Sequence, residues 1–298
     1  MIISAFVSLC GACEIFSFIF SPITTLLSLP DKTPGIWLAS FIGGFPSGAH
    51  TISSLYRLNT IDTDDAQRLI SCCVCSGPAF LIMAVGKQML GSLKTGVILF
   101  TAQIISIIIL TAFFCRTSKR IGKNGSHAEY LTFDSALVSA VSNSTASMLN
   151  IFSFVIFFSV TTEILKNTAS FSRFIIPFLE VTLGCCHAAL LKSNLSIPII
   201  AFLTGFGGLS VCFQILSLAK NSGLTPVMFW RVRLLNGMLC VLITFMLSSL
   251  FPDQLSVFSS VYNPSSIIVW SVDRLLGGAC LAAMLLLSIQ KLDFITKS

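Results

Sequence analysis

Charge is what this sequence has least of. Of its 298 residues only 10% are Asp, Glu, Lys or Arg, against about 25% in an average soluble domain. Tyr and Trp occur three times each, while Phe occurs 26 times. A chain this poor in charge cannot cover its apolar surface with groups that face water. That excludes a soluble enzyme and a disordered segment. Long polar or basic stretches are also lacking, which excludes a nucleic-acid binder despite the net charge of +6. No alternation of apolar and polar residues runs along the chain, so a transmembrane β-barrel is excluded as well. No basic stretch precedes the first apolar segment, so it reads as a retained helix rather than a cleaved signal. Neither HExxH nor GxSxG occurs, and no enzyme is expected.

What is present is long apolar runs, with 54% hydrophobic residues and a mean hydropathy of +0.91. The fold class that follows is all-α, a polytopic helical membrane protein. Apolar segments run over 4–28, 34–56, 67–90, 93–115, 134–165, 170–191, 195–219, 227–250 and 265–289. The one strongly polar stretch, RTSKRIGKNGSHAEY at 116–130, separates two halves. The expected organisation is a first repeat over 1–115, a polar cytoplasmic loop over 116–133 and a second repeat over 134–298. The eleven cysteines all lie in or beside apolar runs. They read as small packing residues rather than as a disulfide framework.

The halves align when Glu14 is set on Glu180. FIGGFPSGAHTISSL (41–55) then falls near FLTGFGGLSVCFQIL (202–216), and NTIDTDDAQRLI (59–70) falls on SGLTPVMFWRVR (222–233). Asp62 or Thr63 suits a helix N-cap, as do Thr225 and Pro226 at the second site. The counterpart of 134–165 would precede Met1, so the first repeat is expected to lack a helix at its start. Loop Lys and Arg residues orient membrane helices. Most of them fall on the cytoplasmic side when GGFPSG and GFGG are both tips of re-entrant hairpins. That gives about seven transmembrane helices plus two Gly-broken hairpins, with the repeats parallel.

Broken helices in lipid belong where protein or a water-filled cavity receives the freed backbone groups, and their half-helix ends become ligands. The candidate solute-binding or ion-binding residues are therefore Gly43, Gly44, Pro46, Ser47 and Gly48 at the first tip, with Gly205, Gly207, Gly208, Ser210 and Gln214 at the second. Ser76, Gly77 and Pro78 form a third interruption, where proline should leave a carbonyl near Val74 without its usual donor. Asn143 and Ser144 form a fourth polar point. Glu14 and Glu180 are carboxylates within apolar runs and are candidates to couple transport to a proton or cation. Gln103 and Asn236 read as interhelical hydrogen bonds. No metal site and no cofactor is expected, since adjacent cysteines on a helix diverge by about 100°. The expected partners are the bilayer, a small polar solute or ion, and a second copy of the chain, with no nucleic acid.

The residues GGFPSGAHTISSLY, the acidic-capped helix after them, SGPAF, the LEV around Glu180 and GFGGLSVCFQILS together resemble the YlbJ family of sporulation integral membrane proteins. Cys75 departs from that pattern, where Asn is usual before SGP. The family carries the Gate, or nucleoside-recognition, domain found also in nucleoside transporters and in the membrane part of the ferrous-iron transporter FeoB. The resemblance implies a multi-pass protein of the bacterial inner membrane that acts in sporulation as a transporter or permease. Two other functions stay open at this point: a ferrous-iron-like metal path using Cys and Glu, and a non-transporting scaffold for the spore cortex and envelope.

Overall fold

The computed structural model describes residues 20–29, 32–115, 132–168, 172–191, 195–219 and 226–250, together with Ile2, Phe6 and Ser193. Glu14, the loop at 116–130 and the expected final span at 265–289 lie outside the described residues. Among the described residues every regular element is a helix. Four helical stretches are long and apolar enough to cross a membrane: Leu93–Cys115, Phe133–Leu165, Ser196–Leu218 and Pro226–Leu250.

After α1 (Ser21–Leu26) the chain forms α2 (Thr33–Gly43) and α3 (Phe45–Arg57), separated by Gly44 alone. Gly44 has φ +78°, a conformation that side-chain-bearing residues rarely adopt. The turn it makes is a reversal. A Cβ on Gly48 would lie 3.5 Å from the Cα of Ser40, whereas residues eight apart on a straight helix are about 12 Å apart along the axis. α2 and α3 therefore pack on each other as a hairpin with its tip at Gly44. Gly48 itself is helical and serves that close packing.

α4 (Thr63–Cys72) opens on Asp62, whose side chain accepts from the Asp65 N–H at 2.7 Å. It stops at Cys72, and the chain runs without helical structure to Pro78 before α5 (Ala79–Met89) resumes in the wide π form. A simple kink was expected at SGP; the interruption is longer because Pro78 begins a new helix instead of bending the old one. A turn at Gly91 then leads into α6 (Leu93–Cys115), which packs back on α5 through Gly86 and Gly96.

α7 (Phe133–Thr168) is one continuous helix of 36 residues, about 54 Å long at 1.5 Å per residue. It shows no join between an interfacial and a spanning part, and much of its apolar surface is exposed, which fits contact with lipid. α8 (Ser172–Leu179) and α9 (Val181–Leu190) meet at Glu180. They form a second reversal, because a Cβ on Gly184 would lie 3.1 Å from the carbonyl carbon of Pro177. α10 (Ser196–Phe206) and α11 (Gly208–Leu218) are separated only by Gly207, with φ +95°. These two helices touch each other little beyond the break. They run instead as one interrupted span antiparallel to α12 (Pro226–Leu250): Phe202 meets Gly237, and Gly207 meets Arg233.

This differs from the expected pair of hairpins at GGFPSG and GFGG. The chain folds back at Gly44 and at Glu180, and it is stretched at 73–78 and at Gly207–Gly208. The ends can be traced through contacts. Phe45 lies beside Gly207, and Ser53 Oγ donates to Leu218 O at 2.8 Å, so α3 and α11 run parallel from their tips. Cys73 Sγ lies 3.5 Å from Thr111 Oγ1, and Gln103 Nε2 donates to Thr204 O. The chain thus leaves α3, α6 and α11 at one common end of the bundle. Cys186 Sγ lies 3.8 Å from Met89 Sδ, near the other end. The α2–α3 hairpin enters from the first end and the α8–α9 hairpin from the second.

Candidate functional site

All four interruptions meet at one level of the bundle. The first hairpin tip packs on the α4–α5 break, where a Cβ on Gly44 would lie 3.0 Å from Gly77 N. The second hairpin tip packs on the α10–α11 break, where a Cβ on Gly208 would lie 3.0 Å from Val181 N. α6 and α12 cross beside these contacts without interruption.

At the α10 end the last helical backbone bond is Gly207 N to Leu203 O at 2.8 Å, and side chains take the carbonyls beyond it. Thr204 O accepts from Gln103 Nε2 at 3.0 Å. Gly205 O accepts from Asn236 Nδ2 at 2.8 Å, while Asn236 Oδ1 accepts from Ser106 Oγ at 2.6 Å. Phe206 O receives the Cys212 thiol at 3.6 Å. This is how a helix can end inside an apolar bundle, with each freed acceptor given a donor from a neighbour.

Glu180 is 8% exposed and caps α9, its carboxylate accepting from the Thr182 N–H at 3.0 Å and the Leu183 N–H at 2.7 Å. Its backbone is extended, with φ −137° and ψ 122°. The acid at this tip does the work that glycine does at the other.

Arg233 joins the pieces, and the sequence did not single it out for this. It lies two turns into α12 and is 0% exposed. Its Nη1 donates to Val74 O at 2.7 Å, in the stretch where proline was expected to free a carbonyl. Its guanidinium stacks 4.9 Å from the centre of the Phe45 ring. Its Nη2 would lie 3.1 Å from a Cβ on Gly207. One side chain therefore touches the α4–α5 break, the first hairpin tip and the α10–α11 break. The signal was present in the sequence, an arginine several residues inside a proline-started apolar helix, but Arg233 was counted among the loop charges that orient the chain.

Among the described residues several polar atoms have no hydrogen-bond partner: Arg233 Nε and Nη2, and the hydroxyls of Ser40, Ser47 and Ser76. Ser47 follows Phe45 by two residues, and Ser76 follows Val74 by two. Buried unpartnered polar groups are costly, roughly 1–3 kcal/mol each; the Ser40 and Ser47 hydroxyls lie within the α2–α3 hairpin, against Gly48 and Gly43, while Arg233 Nη2 lies at the junction beside Gly207.

The other candidates fall as follows. Gly43 ends α2 against Ser47, and Pro46 starts α3. Pro78 starts α5. Ser210 Oγ accepts from Gln214 Nε2 at 3.2 Å within α11, so these two satisfy each other. Ser144 is buried on α7 with its hydroxyl unpartnered. Asn143 lies apart from the junction in a polar cleft of about 240 Å³ between α3, α7 and α11, lined also by His50, Ser53, Arg57, Ser147 and Asn150. His50 is its deepest titratable side chain, 3% exposed, with Nε2 unpartnered. It follows Phe45 by five residues, about 7.5 Å along α3. Among the described residues no three His, Cys, Asp or Glu side chains converge to hold a metal. Comparison with family models, with curated proteins and with solved structures finds no match to this chain.

Proposed function

We propose that this chain is a multi-pass permease for a small polar solute, bound where the two hairpin tips meet the two broken spans. The observation that carries this reading is the convergence of four interruptions on one buried level, with the buried Arg233 guanidinium at their meeting point. Close packing alone would favour unbroken helices, which satisfy their own backbone. The polar cleft between α3, α7 and α11 is the route from the first end, and His50 marks its inner end.

The repeat that fits this reading is inverted. Hairpin α2–α3, broken span α4–α5 and plain span α6 answer to hairpin α8–α9, broken span α10–α11 and plain span α12. The register is one element away from the alignment of Glu14 with Glu180. Inverted repeats of this kind serve alternating access, each hairpin gating one side. Glu180 is then the coupling carboxylate of the second gate. Protonating it would release the α9 N–H groups, and Val181 at the start of α9 is what Gly208 packs against. Membership of the YlbJ family, with the Gate-type architecture and the inner-membrane location in sporulating bacteria that it implies, belongs to the same proposal.

The test is uptake by proteoliposomes carrying the purified chain. Counterflow of labelled inorganic phosphate, succinate and uridine should show saturable exchange of at least one, lost in Gly207→Val at equal protein content. A non-transporting scaffold predicts exchange of none. A metal path predicts uptake of ferrous iron alone.

A further inference from the structure

Arg233 brings to the junction a charge that no described group balances. We propose that the solute is an anion with a carboxylate or phosphate head, gripped by the free edge of the Arg233 guanidinium. The proposal rests on the permease reading and names the substrate class of that same site.

Arginine stays protonated in proteins, and a buried charge is ordinarily paired. Arg233 is wholly buried, yet among the described residues it bonds only neutral groups, Val74 O and the Cys212 thiol. The donors it uses and the donors it leaves are chemically distinct. Nη1 is spent on Val74 O and fixes the group in place. Nε and Nη2 find no oxygen acceptor among the described residues, with the Cys212 thiol the one weak neighbour in reach, and together they form the side-on fork whose two parallel N–H bonds match the two oxygens of a carboxylate or phosphate. Gly207 leaves no Cβ against Nη2, where any side chain would begin 3.1 Å from it.

The helix starts at the junction carry the same sign, while the C-terminal ends of α2 and α10 beside them carry the opposite one. α3 begins at Phe45, on which the guanidinium stacks, and α11 begins after Gly207. Neither start carries a side-chain cap. The N-terminal ends of helices favour negative charge. By contrast α9 also starts at this level, but Glu180 caps it and is used up there. Beyond that carboxylate, the guanidinium is the one full charge at this place among the described groups. A cation would be repelled by it, and a neutral solute would leave the fork unpaired.

The experiment follows thermal unfolding of the purified full chain in detergent by tryptophan fluorescence, at constant ionic strength. The probes are inorganic phosphate, succinate, uridine and ferrous iron. Phosphate or succinate should raise the melting temperature saturably. Arg233→Lys keeps the charge without the fork and should shift half-saturation at least tenfold upward. Arg233→Gln should abolish the effect. If Arg233→Gln does not fold, the wild-type titration and Arg233→Lys decide. Stabilisation by uridine or ferrous iron but by neither oxyanion would overturn the anion proposal and leave the permease reading standing. Oxyanion stabilisation unchanged in Arg233→Lys would also overturn it. If none of the probes stabilises the wild type, the junction is no solute site and both readings fall.

Discussion

Replacing Gly44 by alanine tests the first hairpin tip. Two effects add at this position. Gly44 has φ +78° and ψ −168°, a region kept almost wholly for glycine, and a side chain there costs about 1–2 kcal/mol. The new Cβ would also sit 3.0 Å from Gly77 N. That neighbour is backbone and cannot rotate aside, so overpacking adds roughly 1–3 kcal/mol. The expected loss is therefore about 2–5 kcal/mol, a large share of the ~5–15 kcal/mol that holds a typical domain folded. Gly48→Ala is the matched control. Gly48 is helical; the Ser40 hydroxyl nearest its added Cβ can turn away, while the Ser40 Cβ at 3.1 Å stays tight. Alanine gains about 1 kcal/mol over glycine inside a helix, which offsets part of an overpacking cost of roughly 1–3 kcal/mol, so this variant should lose at most about 2 kcal/mol. The assay is thermal unfolding in detergent, with the monodisperse fraction measured by size exclusion. Equal damage from the two variants, or an undamaged Gly44→Ala, would refute the assignment of the reversal to Gly44.

Three other outcomes are expected. Glu180→Gln removes one of two carboxylate acceptors at the start of α9 and should lower stability by about 0.5–2 kcal/mol; if Glu180 couples transport, exchange is lost as well, and full exchange at normal protein level would end that role. Asn236→Leu strips the partner from Gly205 O and from Ser106, and should cost roughly 1–3 kcal/mol in the same melts, whereas an unchanged melt would mean that the α10 end finds another donor. Cysteines introduced singly in 57–66, 116–127 and 220–225 should all resist an impermeant reagent applied from outside intact cells, because α3, α6 and α11 end together; labelling at one of the three alone would break the inverted arrangement.

Much of this architecture is legible in the sequence because lipid leaves few choices. Apolar runs of the right length must be helices, and the Gly and Pro runs at GGFPSG, SGP and GFGG mark real interruptions. Gln103 and Asn236 were readable as interhelical bonds because buried amides in apolar spans need partners. The second reversal was not readable. Glu180 turns the chain with an ordinary extended backbone, which any residue can adopt, so no glycine announces it. Its carboxylate reads as a coupling group in a span, and the two Gly- and Phe-rich stretches read alike as hairpin tips, which only the packing tells apart. Arg233 was hidden for another reason. Two arginines near a helix start look like an orienting pair, and only the packing separates Arg231 from its buried neighbour.

The central claim is that the buried junction opens to each side of the membrane in turn, and the native cysteines report on it without substitution. Cys75 follows Val74 in the α4–α5 break, and Cys212 lies against the α10–α11 break; they are 1% and 0% exposed. Cys240, at 2%, packs on Gly205 in the α10–α12 contact and serves as the control. Vesicles of either orientation are treated with an impermeant thiol reagent, and modification is read residue by residue from peptide masses. The permease account predicts slow modification of Cys75 and Cys212 from both faces, with Cys240 protected. Modification from neither face, or of all three cysteines alike, would contradict it.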